Sequence, residues 1–175
     1  MNDSTTATNG KLKQCHLVRV DGNQTFLLPF GLGVVFPTHW TNQRTTIHAR
    51  RKCIHCGNAK QQIRDVSAHV GVEVRSGSAV RCIVVLPSIA SQTIINEVDR
   101  LRLSHKPLRV ELKRNGNSKR SPINVAVRVY EPKVKPDVER IVATDCLIQV
   151  LWERMYRDDV EFDPIQAENT FTRLV

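Results

Sequence analysis

Four short apolar segments constrain the fold of this chain more than any other feature of the sequence. Residues 66–74 carry an apolar side chain at every second position, and this alternation is typical of a half-buried β-strand. Residues 80–86 are a short apolar run rich in β-branched residues that follows a Ser-Gly-Ser turn, and this predicts a more deeply buried partner strand. The alternation returns at 108–113 and again at 123–130. The sequence therefore predicts a mainly β protein.

Helical periodicity appears in two places. Ser88 is placed to be an N-cap, and the apolar stripe that follows predicts a helix that ends before Pro107. A second amphipathic helix is predicted at 137–157, and its apolar face is broad enough to pack on the domain or on another copy of the chain. Upstream, residues 15–20 and 26–36 are predicted to be strands, so one helix lies between groups of strands.

Cysteine and histidine residues concentrate between residues 38 and 57. Cys53 and Cys56 form a CxxC that is followed by glycine, and two thiolates at this spacing can hold one zinc ion at about 2.3 Å. A tetrahedral site needs two further ligands, which His39 and His48 can supply from upstream. We therefore predict a structural Cys2His2 zinc site within a subdomain of about residues 38–64.

The spacing leaves alternatives to this site. The CxxC is also compatible with a solvent-facing loop or with a redox pair, although no thioredoxin-like strand and helix accompany it. If His39 is not a ligand, the substitutes are Cys15, His16 or His55. Five cysteines, a CxxC and no export signal in the first ten residues favour a reducing cytoplasm over a disulfide scaffold.

The charge of the chain is divided unevenly along its length. The formal net charge is +9, but the residues from Asp137 onward contain nine Asp/Glu and four Lys/Arg, a balance of −5. The remaining residues contain 22 basic and 8 acidic side chains, a balance of +14. A basic body with an acidic end favours an anionic partner, most simply nucleic acid. No apolar run approaches the ~20 residues of a membrane span.

The predicted domain organisation follows from these patterns. Residues 1–12 are expected to be a disordered leader and residues 13–131 an OB-like domain that contains the zinc subdomain. Residues 132–136 are a proline-punctuated linker, and the helix at 137–157 is followed by an acidic tail at 158–175. The order β-β-β-α-β-β within the domain is that of a five-stranded OB-fold barrel.

Two basic clusters lie in the loops that border the nucleic-acid groove of an OB-fold. One is the zinc stretch between the first and second barrel strands, and the other is the loop between the fourth and fifth. The cations expected to contact phosphates are Arg44, Arg50, Arg51, Lys52, Lys113, Arg114, Lys119 and Arg120. Trp40 is the only aromatic residue of the zinc stretch and offers a ring on which a base can stack. The alternative is that the cations are ordinary solvated side chains and that Trp40 packs on the zinc subdomain.

In this arrangement the chain resembles the zinc-bearing OB-fold single-stranded DNA-binding proteins of bacteriophages. The matching features are His39, Cys53, Cys56, the order of elements over about residues 25–129 and the acidic end. That family has a third cysteine where His48 would serve here, and more aromatic residues in its groove. The resemblance implies a role in DNA replication, with the acidic tail recruiting replication or recombination proteins.

Three functional hypotheses follow. The favoured one is non-catalytic binding of single-stranded DNA or RNA, with DNA favoured by the resemblance. The second is a protein-interaction adaptor that uses the zinc loop and the helix at 138–155, which could also form a homo-oligomer. An enzyme is disfavoured because the sequence has no HExxH, no paired acidic motif and no deaminase signature.

Overall fold

The computed structural model describes residues 14–20, 22–28, 33–41, 44–50, 53–54, 56, 62–76, 78–101, 107–116, 118, 121–130, 144–156 and 161–174. The strands are β1 (His16–Arg19), β2 (Gln24–Leu28), β3 (Gly33–Thr41), β4 (Arg44–Ile47), β5 (Arg64–Arg75), β6 (Ser78–Pro87), β7 (Leu108–Arg114), β8 (Ile123–Val129) and β9 (Thr172–Leu174). The helices are α1 (Ser88–Leu101), α2 (Thr144–Met155) and α3 (Pro164–Thr170).

The twelve-residue strand β5 is the centre of the sheet. One edge of β5 pairs with β6 along almost its whole length, from Val66 opposite Pro87 to Arg75 opposite Ser78. The other edge is shared, because the first half of β5 pairs with β3 and the second half with β2. Strand β7 pairs with β2, and β8 pairs with β7. Strand β1 lies parallel to β6, while β4 and β9 both pair with β3.

The mainly β class with accompanying helices is confirmed. Over the described residues the sheet is open and mixed and does not close into a barrel, so the five-stranded OB-like barrel stays a prediction. Over the residues that the structure describes, β8 pairs with β7 alone. The edge of β6 that faces away from β5 is taken by the parallel strand β1. The strand expected at 26–36 is divided into β2 and β3, and β3 continues into the stretch that we had assigned to the zinc loop.

One hydrophobic core, which we call the α1 core, lies between the sheet and α1. Alternate residues of β6 face it, because successive side chains of a strand point to opposite faces. Its buried members are Phe26, Leu28, Cys82, Val84, Leu86, Ala90, Ile94, Leu108, Val110 and Leu112. These residues come from β2, β6, α1 and β7, which were all identified from the apolar pattern.

The second core, the α2 core, lies on the opposite face of β6. The remaining β6 positions Ile83 and Val85 pack there with residues of β3, β4, β5 and one side of α2. Its largest member is Trp152, which has no solvent-accessible surface. The apolar face of α2, the described part of the predicted C-terminal helix, therefore packs on the domain.

Phe162, Ala167 and Phe171 contribute to this core, so the described part of the segment predicted as an acidic tail at 158–175 is folded onto the domain. Asp163 caps α3 by accepting hydrogen bonds from the backbone N–H groups of Ile165 and Gln166, and Pro164 occupies the first turn. Phe171 is buried against Phe36, with ring centroids 5.0 Å apart. Strand β9 then pairs with β3.

The predicted leader (1–12) and linker (132–136) lie outside the described residues, as does the first part of the helix predicted at 137–157. Within the described ranges, no helix is long and apolar enough to cross a membrane.

Candidate metal centre

The two histidines of the predicted site are positioned by the β3–β4 hairpin. His39 lies on β3 opposite Thr46 and is 3% exposed. His48 follows the end of β4, where its backbone N–H donates to the carbonyl oxygen of Pro37 at 2.8 Å. This bond extends the hairpin by one residue pair and brings the two imidazole rings to a centroid distance of 5.3 Å.

The two cysteines lie on a turn that is held against α2. The backbone N–H of Cys56 donates to the carbonyl oxygen of Cys53 at 3.3 Å, which closes the turn of the CxxC. Between them, the N–H of Ile54 donates to the hydroxyl oxygen of Tyr156 at 3.4 Å. Cys53 also packs against the α2 core. The turn is therefore fixed by a residue that lies about a hundred positions later in the chain.

All four side chains converge on one point. The ligand atoms of His39, His48, Cys53 and Cys56 lie within 4.8 Å of one another. Cys53 Sγ is 3.7 Å from His39 Nε2, and Cys56 Sγ is 3.1 Å from His48 Nδ1. Tetrahedral zinc, with bonds of 2.0–2.3 Å, places its ligand atoms about 3.3–3.8 Å apart. The four residues therefore form a cluster that can hold a metal ion, and two thiols with two imidazoles are a donor set that suits zinc.

The electrostatic environment of His48 keeps its ring unprotonated, which is the form that binds a metal ion. Burial, and then the nearby Arg50 cation, lower the pKa of His48, so the ring is neutral near pH 7. On the cysteine side, burial and the adjacent Cys53 raise the pKa of Cys56. A divalent cation reverses this balance, because a coordinating thiol loses its proton outright.

The other cysteines of the described residues lie elsewhere. Cys15 packs against the α2 core, Cys146 lies in α2, and Cys82 lies in the α1 core, where burial raises its pKa to about 12. Among the described residues, the only group of three or more potential metal ligands is the His39–Cys56 cluster. The alternative ligands Cys15 and His16 are not part of it, and His55 lies outside the described residues.

Trp40 extends from the side of β3 opposite to His39. Its side chain is 60% exposed, so it does not pack into the metal-binding unit as the alternative interpretation proposed. Arg44 and Arg50 are exposed on the same hairpin, and Lys113 is exposed on β7. Arg51, Lys52, Lys119 and Arg120 lie outside the described residues, and their predicted roles stay predictions.

The described members of the two basic clusters lie at opposite ends of β5. Trp40 and the metal ligands lie beyond the Arg64 end of β5, where Thr38 pairs with Arg64. Arg114 lies beyond the other end, beside β2, and its guanidinium donates to the carbonyl oxygen of Ser121 at 3.1 Å. Ten residues of β5 separate the two ends, a path of about 33 Å at ~3.3 Å per residue.

Sequence reasoning missed Tyr156, which anchors the CxxC turn. No local pattern marks this role, because the hydrogen bond to Ile54 spans 102 residues. Tyr156 was visible only as one more apolar position near the end of a predicted helix.

Comparisons of this chain with protein-family models, with curated proteins and with solved structures found no match. Any assignment of function therefore depends on the residues themselves.

Proposed function

We propose that this protein binds single-stranded nucleic acid without catalysis, and that a structural zinc ion held by His39, His48, Cys53 and Cys56 orders the binding surface. The observation that carries this proposal is the arrangement of two consecutive residues of β3. His39 is buried and belongs to the cluster of four potential metal ligands, while Trp40 points to the other side of the strand and is 60% exposed. A metal that fixes His39 thereby fixes the strand that presents Trp40.

The donor set supports a structural role for the metal and not a catalytic one. Four protein ligands complete a tetrahedral shell, whereas catalytic zinc sites keep one position for water or substrate. Zinc binding to such a small unit contributes folding free energy directly. The residues of this chain then supply the binding chemistry, with cations for the phosphates and the Trp40 ring for a base.

The finer fold assignment, an OB-like barrel, belongs to the same proposal. The five strands β2–β3, β5, β6, β7 and β8, with α1 between β6 and β7, have the OB-fold order and most of its strand pairs. The two ends of the sheet also contribute to one core, because Val18 of β1 and Val125 of β8 both pack against the α1 core. This packing supports a sheet that is strongly curled around α1.

The proposal also covers the ligand preference, the location and the partners of the protein. We propose that it prefers DNA to RNA, that it is cytoplasmic, and that its acidic end recruits replication or recombination proteins. Glu161, Asp163 and Glu168 are exposed in the C-terminal segment and are available to such a partner. The adaptor alternative used the zinc loop and the helix at 138–155, and its second surface is weakened because the apolar face of α2 is buried within this chain.

The test combines metal analysis with binding measurements on the purified chain. We expect one zinc ion per chain, and tighter binding of a labelled oligothymidylate than of a duplex of equal length. Trp40→Ala should weaken binding by ~1–3 kcal/mol, the energy of one stacked base. The matched control is Ile165→Ala, which also removes an exposed apolar side chain but lies on α3. Equal affinity for duplex and single strand, together with no effect of Trp40→Ala, would overturn the proposal.

A further inference from the structure

We infer that Arg19 and Arg64 lie on either side of Trp40 and form with it the path of a single-stranded polynucleotide, with phosphates at the two arginines and a base on the ring. This inference rests on the proposed function and specifies its surface. Neither arginine belongs to the basic clusters identified from the sequence. Strand pairing places Arg64 near Trp40, and a hydrogen bond to Thr45 places Arg19 near it.

Arg64 lies on the β5 side of Trp40. It pairs with Thr38, and Trp40 is two residues further along β3, so strand alternation puts Arg64 and Trp40 on the same face of the sheet. Diagonal neighbours of this kind are ~7–8 Å apart at the backbone, which is within reach of long and aromatic side chains. The Arg64 guanidinium is oriented by the side-chain oxygen of Gln62, at 2.7 and 3.2 Å.

Arg19 lies on the β4 side. The cross-strand partner of Trp40 is Thr45, and Arg19 Nη2 donates to the carbonyl oxygen of Thr45 at 3.5 Å. Arg19 comes from β1, which is three strands away from β3 in the sheet through β6 and β5. The curvature of the sheet therefore brings a distant cation beside the hairpin, and sequence spacing could not reveal it.

The charges of these two arginines are not neutralised by the described part of the protein. Arg75, Arg100, Arg109 and Arg173 each form an ion pair with a carboxylate. Among the described residues, no carboxylate oxygen lies within ion-pair distance of Arg19 or Arg64, and the partners of both are neutral oxygens. Two exposed guanidinium groups without counter-charges, on either side of an exposed indole, match a chain that alternates phosphates with aromatic bases.

The occupant follows from this alternation. An acidic peptide would satisfy the arginines but supplies no planar ring for Trp40 at each step. Duplex DNA would satisfy the charges too, but its bases are stacked inside and cannot reach the indole. A single strand satisfies all three side chains.

The experiment measures binding of a fluorescently labelled oligothymidylate of about 15 nucleotides to the full chain as a function of salt. Arg19→Gln and Arg64→Gln should each weaken binding about fivefold at ~0.1 M salt and lower the salt slope by ~0.7, with additive slopes in the double variant. The matched control is Arg100→Gln, which removes the same charge from an exposed residue of α1. Its affinity should stay within about twofold of the unaltered chain, which is the result expected of a solvated surface charge.

Tryptophan fluorescence provides a second measurement. The chain has two tryptophans, and Trp152 is fully buried, so nucleic acid should quench Trp40 alone. At saturating oligonucleotide the double arginine variant should show the same quenching as the unaltered chain, because the base still stacks. Loss of the quenching in Trp40→Phe identifies the source of the signal.

The outcomes separate the inference from the proposed function. If the unaltered chain does not bind the oligonucleotide, the proposed function fails. If it binds and both arginine variants behave like Arg100→Gln, the path is wrong while the function stands. If polyglutamate of equal charge displaces the oligonucleotide as well as unlabelled oligothymidylate does, the surface recognises acidic peptides and the nucleic-acid assignment is overturned.

Discussion

The α1 core and the α2 core are built from the same sheet but from different parts of the chain. Eight of the ten buried residues of the α1 core come from β6, α1 and β7, which follow one another between residues 78 and 114, and the other two come from β2. The α2 core joins the β3–β4 hairpin to a helix that begins at Thr144 and to Phe171. Distant contacts close long loops, and their entropic cost must be met before the contacts form. We therefore expect the α2 core to depend on additional restraints, of which the metal site is the most direct.

The largest expected effect tests whether the α2 core stabilises the whole molecule. Trp152→Ala removes a fully buried indole that packs on Tyr156 at a centroid distance of 4.4 Å. Replacement of a buried tryptophan by alanine costs ~3–5 kcal/mol of unfolding free energy. Urea unfolding measures it, with Trp40→Ala as the control, for which we expect a change within ~0.5 kcal/mol. Similar losses in the two variants would mean that the α2 core contributes little.

The next prediction concerns metal removal and compares the two cores directly. Chelation should lower the unfolding free energy by about 2.7 kcal/mol relative to protein at a zinc concentration 100-fold above its dissociation constant. Hydrogen exchange should show that amides of β4 and α2 lose protection while those of α1 and β7 keep it. Cys53→Ser should be insensitive to zinc in both measurements. Uniform loss of protection across the two cores would contradict the comparison.

A smaller effect is expected at the contact between the metal-binding turn and α2. Tyr156→Phe keeps the buried ring but removes the hydroxyl that accepts the N–H of Ile54. We expect a loss of ~0.5–1.5 kcal/mol in zinc-loaded protein, as for one neutral hydrogen bond. The hydroxyl also bonds to the Gln166 side chain, so Gln166→Ala serves as the control for that second contact.

A double-mutant cycle then identifies which contact matters. If the metal orders the turn, Tyr156→Phe should cost less in a Cys53→Ser background than in the unaltered chain. Equal costs in both backgrounds would show that the hydrogen bond is independent of the metal.

The smallest effect is expected from pH in metal-free protein. Burial and the Arg50 cation lower the pKa of His48 below its ordinary value of about 6.5, so the unfolded chain takes up this proton first as the pH falls. Stability should therefore be fully retained above about pH 6.5 and decline as the pH falls through the lowered pKa. His48→Gln should flatten this part of the urea-midpoint profile. An unchanged profile in that variant would assign the pH dependence to other groups.

The sequence predicted the α1 core better than the α2 core, and the reason is physical. Strict alternation at 66–74 and 108–113 indicates which residues of a strand are buried, so β5 and β7 were predicted with small errors at their ends. The sequence also predicted correctly that His39, His48, Cys53 and Cys56 come together in one cluster that can hold a metal ion. Whether the bound ion is zinc stays a prediction.

What the sequence could not show were the contacts between distant segments. Pairing of β1 with β6 leaves the sheet open, and no periodicity in 15–20 indicates a parallel partner. The last residues were predicted to be a tail because of their negative charge, and this prediction overlooked the buried side chain of Phe171. The position of Arg19 beside Thr45 depends on the curvature of the whole sheet.

The pairing of β9 with β3 also has a consequence for synthesis of the protein. During translation the β3–β4 hairpin leaves the ribosome more than a hundred residues before Leu174, the residue that pairs with Gly33. At ~5–20 residues per second, this interval lasts several seconds or more. Until β9 has been made, the edge of β3 that pairs with it, at residues 33–35, is open to strands of other nascent chains. Early capture of zinc by the four ligands would fold the hairpin before its final partner exists, so metal supply during translation should affect the yield of correctly assembled protein.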